Sequence, residues 1–177
     1  MTSSSGLGAE TPAMVNTFPC AGASFSPCGT YRYALWRAWA QGIRALWIML
    51  NPSTADAESD DPTIRRCISY TRAWGWSGLA VVNLFALRSS DPDVLLSHAA
   101  PVGDLNDWII DQLAMQTAGP VVCAWGVPHP ELEDRAIQVA SRIALKGHKL
   151  RCLGRSKDGW PRHPLYVKRD QPLEVWL

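Results

Sequence analysis

Ala45-Leu46-Trp47-Ile48-Met49-Leu50-Asn51-Pro52-Ser53 is the stretch whose reading decides the fold. Ala45–Leu50 is apolar without a break and has the length of a strand. A strand with no polar alternation is one covered on both faces, as in a parallel sheet sandwiched by helices. Asn51-Pro52-Ser53 ends it abruptly, which places polar side chains immediately beyond a buried strand.

Working outward, the same pattern repeats. Leu79–Val82 closes at Asn83, Pro120–Trp125 closes at Gly126, and Lys149–Leu153 closes at Gly154. Helical patterns separate these runs. Asp61-Pro62 reads as an N-cap with Pro at the first helical position, and Ile64, Cys67, Ile68, Thr71 and Trp74 follow at helical spacing up to Gly75. A short helix is expected over 92–98. A longer one is expected over 104–117, with Leu105, Trp108, Ile109 and Leu113 inward. A third is expected over 131–146, with Leu132, Ile137, Val139, Ala140 and Ile143 on its apolar side. The tail after Gly154 reads as loop. Upstream, Tyr31–Trp36 is a short aromatic strand that turns back at Gln41-Gly42, and residues 1–24 read as a flexible arm. The expected architecture is therefore α/β: a single domain over 25–177, built as a three-layer α/β/α sandwich. It has a central four-stranded parallel sheet and a short N-terminal strand or hairpin.

Composition fits that frame. The chain has 177 residues, 47% hydrophobic and 19% charged, enough for one domain with a full core. Nine tryptophans promise extensive aromatic burial. No apolar run is long enough to cross a membrane, and Met1–Ala13 lacks the basic and apolar regions of an export signal, so a cytoplasmic protein is expected. The five cysteines include no Cys-x-x-Cys pair, which argues against a disulfide framework or an iron–sulfur or zinc site. No cofactor and no metal are expected.

Net charge is only +1, but it is uneven. From Ser141 onward nine Lys/Arg face three acids, leaving +6 there and −5 in the rest. Such a basic end is the footprint of a phosphate-bearing partner, and equally of an ordinary solvated helix and tail. No Walker loop, dinucleotide fingerprint or Gly-x-Ser-x-Gly elbow occurs. Asp56, Glu58, Asp60 and Asp61 could bind Mg²⁺ with phosphate as co-ligand, though a solvated loop with Asp61 as cap explains them better.

In parallel sheets ligands gather beyond the carboxyl ends of the strands. Asn51, at the first end, can hold a water molecule but is no strong base. Asn83, at the second, can pair with the edge of a nucleobase. Phe85 could stack on a ring or fill core. His163, between Pro161-Arg162 and Pro164, is the side chain suited to stabilise a developing anion near neutral pH.

These residues also carry a resemblance. Met49-Leu50-Asn51-Pro52-Ser53-Thr54-Ala55-Asp56, Asp60-Asp61-Pro62-Thr63-Ile64-Arg65-Arg66, Val82-Asn83-Leu84-Phe85-Ala86, Ala124-Trp125-Gly126, Lys157-Asp158-Gly159 and Arg162-His163-Pro164-Leu165-Tyr166 resemble a family of short bacterial and phage proteins, domain of unknown function 1643. More distantly, the order of the landmarks is similar to that of the uracil-DNA glycosylase superfamily. There, a strand-end Asn-Pro motif holds the hydrolytic water, a later Asn reads the base and a His-Pro loop stabilises the leaving base. Ser53 departs from that pattern, standing where many members have Gly. The resemblance implies hydrolysis of the N-glycosidic bond of a damaged or modified base in DNA, uracil or a deaminated base first. Asn51 and His163 would be catalytic, and Pro52, Ser53, Asn83 and Phe85 base-binding. Arg155, Lys157 and Arg162 would hold DNA, single-stranded DNA or a nucleotide being other partners of the same chemistry. The competing expectation is a non-catalytic nucleic-acid or nucleotide binding protein of the same fold.

Overall fold

A computed structural model describes residues 21–177. Its strands are β1 (Ala21–Phe25), β2 (Arg32–Ala38), β3 (Arg44–Met49), β4 (Gly78–Asn83), β5 (Val121–Cys123), β6 (Leu150–Cys152) and β7 (Glu174–Val175). Its helices are α1 (Pro62–Ala73), α2 (Val94–Ser97), α3 (Asn106–Gln116) and α4 (Glu133–Leu145). Single 3₁₀ turns cover Pro130–Leu132 and Pro164–Tyr166.

All seven strands form one sheet in the order β1-β2-β4-β3-β5-β6-β7. The inner block β4-β3-β5-β6 is parallel throughout, with Met49 paired to Asn83 and Ile48 to Cys123. The sheet is nevertheless mixed and larger than the four parallel strands expected. The β1–β2 hairpin adds antiparallel to β4 on one side, and β7 adds antiparallel to β6 on the other. β7 comes from the tail read as loop; two residues are too short to leave a periodic signal. The arm boundary at 24 is likewise corrected, since it falls inside β1; the earlier part of that arm lies outside the described residues.

The unbroken apolarity of β3 has the expected cause. Leu46 and Ile48 pack with α3 and α4 on one face, and Trp47 and Met49 pack with α1 on the other, all fully or nearly buried. On the α1 face Trp47 stacks on Trp74 at 5.6 Å, Tyr70 stacks on Trp74 at 5.5 Å, and the Trp47 indole N–H donates to Thr71 Oγ1 at 3.0 Å. Neither Trp74 nor Trp76 lines the cavity described below. α1 starts as expected, Asp61 accepting from the Ile64 N–H at 2.8 Å, and ends at Gly75, whose φ of 82° is the left-handed turn only Gly adopts freely.

α3 is rotated from its expected face. Ile109 and Leu113 pack against the core as expected, but Leu105 is 52% and Trp108 63% exposed, while Asn106, Ile110 and Ala114 are buried. The cause is Asn106: its amide donates to the carbonyls of Asn83 (3.0 Å) and Leu84 (3.1 Å), so a polar residue leads the inward stripe. On α4, Ile137 is also exposed rather than inward. Ion pairs join the outer sides of the two helices: Asp107 with Arg135 and Arg142, Asp111 with Arg142 and Lys146. Arg142 and Lys146 are thereby neutralised, which shrinks the basic end read from the sequence. Among the described residues no helix is long and apolar enough to cross a membrane.

Candidate functional site at the carboxyl ends of the parallel strands

A cavity of about 640 Å³ opens beyond the carboxyl ends of β3, β4, β5 and β6. Asn51, Ser53, Asn83, Arg162 and His163 all line it. Residues more than a hundred positions apart thus converge because each follows a strand of one parallel block.

Asn51 is tied to the loop opposite: its Nδ2 donates to Ser89 O at 2.9 Å and to Pro52 O at 3.3 Å, and Ser89 N–H returns a bond to Pro52 O at 2.9 Å. Its Oδ1 receives no donor from the described residues and remains an acceptor. Asn83 is 1% exposed. The Arg32 guanidinium donates to its Oδ1 at 3.4 Å, and its Nδ2 has no partner among the described residues. Asn106, together with the Arg135 N–H donating to Leu84 O at 2.9 Å, fixes the backbone that carries it.

His163 opens the second 3₁₀ turn, its Nδ1 accepting from the Leu165 N–H at 3.4 Å. That bond puts the proton of the neutral ring on Nε2. Burial lowers the pKa of His163 below its ordinary value, and the nearby Asp61 carboxylate opposes the shift only in part. The turn is gripped from α1: Arg66 donates to the carbonyls of Pro164 (3.3 Å) and Val167, and the Tyr70 hydroxyl to those of Val167 (3.3 Å) and Lys168. Gly126 passes close beside it, at φ 84°, where an added Cβ would meet the His163 Cβ at 3.4 Å.

Other expectations are corrected. Phe85 is 3% exposed inside the core on the α3/α4 face and does not line the cavity, so it has no ring to offer a base. Pro52 is buried beside the cavity without lining it. Arg155 donates to the carbonyls of Val175 and Trp176, holding the C-terminal strand, and Lys157 is exposed; neither lines the cavity. The acidic loop is occupied locally: Asp56 caps the Glu58 and Ser59 amides, Asp60 pairs with Arg37 at 2.9 Å and Asp61 caps α1. Among the described residues no group of three or more His, Cys, Asp or Glu could hold a metal ion.

Sequence reading missed Arg32, Ser89, Ser90, Ser156 and Tyr166, all of which line the cavity, and it assigned Asp61 only to the cap. For Arg32 a signal existed, a lone charge in the aromatic strand Tyr31–Trp36. The serines and Tyr166 lie in loops with no periodic pattern to distinguish them.

The fold and site define an α/β protein with a cavity, lined in part by polar and charged side chains, at the strand ends of a parallel block. A family model, "Protein of unknown function (DUF1643)", matches residues 32–165, and the chain belongs to that family. No curated protein and no solved structure matches it.

Proposed function

We propose that the cavity hydrolyses the N-glycosidic bond of a damaged or modified base in DNA. The observation that carries this reading is the meeting of Asn51, Asn83 and His163 around one hollow large enough for a nucleoside. The likeness of their order to that of the uracil-DNA glycosylase superfamily supports it, as does the parallel block β4-β3-β5-β6 behind them.

The chemistry assigns each group a task its hydrogen bonds leave it free to perform. Asn51 Oδ1 accepts a hydrogen from the attacking water and holds its oxygen toward the anomeric carbon. That oxygen bonds to C1′, the C1′–N bond breaks, and its electron pair leaves on the base. The water's proton passes to solvent or to the departed base. His163 donates from Nε2 to the developing anion, the kind of preorganised donor that accounts for much of an enzyme's rate. Asn83 Nδ2 donates to a carbonyl on the base edge. Reaching the site from a duplex requires flipping the nucleotide out, at a cost of about a few kcal/mol. Arg162 at the rim and the exposed Lys157 would meet phosphates.

The test is release of free base from single- and double-stranded oligonucleotides carrying uracil, hypoxanthine and other lesions. The expected result is release that Asn51→Ala and His163→Ala abolish while DNA binding persists. Failure of the wild-type chain on the whole panel overturns the reading. Binding without release would instead fit the non-catalytic alternative.

A further inference from the structure

Arg32 stands in the cavity wall as a buried cation with no carboxylate in salt-bridge contact; Asp61, which lines the same cavity, and Asp56 attract it only through space, against repulsion from Arg88 and Arg37. Arg32 is 2% exposed, and no carboxylate among the described residues pairs with it. Its Nη1 donates to Ala55 O at 2.8 Å and its Nη2 to Asn83 Oδ1, while Nε meets nothing. Burial without a contacting carboxylate is costly for a cation, and a fold that keeps one beside a cavity is suited to a partner that brings negative charge into contact. Burial brings the Arg32 pKa down to about 10, which still leaves it charged at neutral pH.

A guanidinium can only donate. It therefore holds the oxygen of the Asn83 amide and turns Nδ2, itself buried and unpartnered, the other way. Hydrogen bonds in such a chain polarise one another, so an amide whose oxygen accepts from a cation is a stronger donor at its nitrogen. We propose that Arg32 is a positioning residue acting through Asn83: it locks that amide with its N–H toward the base and strengthens it as negative charge builds on the leaving group. This inference rests on the glycosidic reading above. When the C1′–N bond breaks, the electron pair enters the base ring and spreads to its carbonyl oxygens, where an acceptor must find a donor. Arg32 and Asn83 supply only donors there. The other titratable groups lining the cavity are Asp61, Arg162, His163 and Tyr166.

The experiment compares base release from oligonucleotides carrying uracil or 5-fluorouracil, the fluorinated base being the more acidic leaving group. Arg32→Gln is expected to lose roughly 10²-fold in kcat on uracil and clearly less on 5-fluorouracil, with KM little changed. Arg32→Lys, which keeps the charge but not the fork, should recover part of the loss. Equal losses on both substrates overturn the role of Arg32 and leave the glycosidic reading standing. Absence of release by the wild-type chain overturns both. A wild-type measurement guards against a variant that does not fold. Free 5-fluorouracil should bind more tightly as it ionises between about pH 7 and 9, where His163 is already neutral and Arg32 still charged; constant or weakening affinity overturns the inference.

Discussion

The two ends of the parallel block hold two hollows with different linings. At the amino ends, and along the α3 side, lies the larger, about 1050 Å³, walled by Trp36, Trp39, Ile43, Trp108 and Leu113. At the carboxyl ends lies the smaller, about 640 Å³, walled by Arg32, Asn51, Asp61, Asn83 and His163. Volume alone would choose the first. Chemistry chooses the second, because side chains from four strand ends meet there and three of its lining residues, Arg32, Asn83 and Trp125, carry buried donors without partners among the described residues, against Trp36 alone in the first. The difference follows from chain direction: every loop that leaves a parallel strand is free to bring a polar group to the same place.

Substitutions at the two ends can break that contrast. The largest expected effect is at His163: His163→Ala should lower kcat for base release by about 10²–10³-fold, measured in single-turnover assays, with little change in thermal midpoint. If Trp108→Ala gave the same loss, the assignment of chemistry to the carboxyl end would fail. Next comes the support behind the site. Asn106→Ala leaves the Asn83 and Leu84 carbonyls without the amide that holds them, and should cost about 2 kcal/mol in urea unfolding. A smaller effect is expected at Arg162 on the rim and at the exposed Lys157 outside it, where Arg162→Ala and Lys157→Ala should each reduce the slope of log affinity for DNA against log salt by about 1. Change at Trp108 should be the smallest: Trp108→Gln should alter stability by no more than about 0.5 kcal/mol and leave base release unchanged.

Acidity sharpens the same contrast. His163 has a folded pKa below its ordinary 6.5, so on acidification the unfolded chain takes up this proton first. Its contribution to stability therefore falls as pH drops from that value toward the folded one, and levels off below it. Protonation also removes the Nδ1 acceptor that caps the 3₁₀ turn. Unfolding curves collected through the acid range should show this slope in the wild type and a shallower one in His163→Gln.

The residues that located the parallel block in the sequence were those burying both faces of a strand. Ala45–Leu50 and Leu79–Val82 have no polar interruption, and only a covered strand tolerates that. Three members of the candidate site followed from where those runs stop. Arg32 left only the signal of a lone charge in an aromatic strand, and its burial could not be read from that, because its character depends on Ala55 and Asn83, each more than twenty positions away. The face of α3 was misread in part for the same reason, at Leu105 and Trp108: Asn106 counts as polar until the carbonyls it satisfies are known. Phe85 shows the converse, a ring adjacent to the site in sequence and directed into the core in space.

The tie between Asn51 and the Ser89 loop has one more consequence. With its nitrogen anchored to a carbonyl, that amide cannot spin, and its oxygen is a one-way fitting. A solvent molecule seated there must point a hydrogen inward and keep a lone pair outward, so its orientation is settled by the scaffold without a carboxylate to pull a proton away.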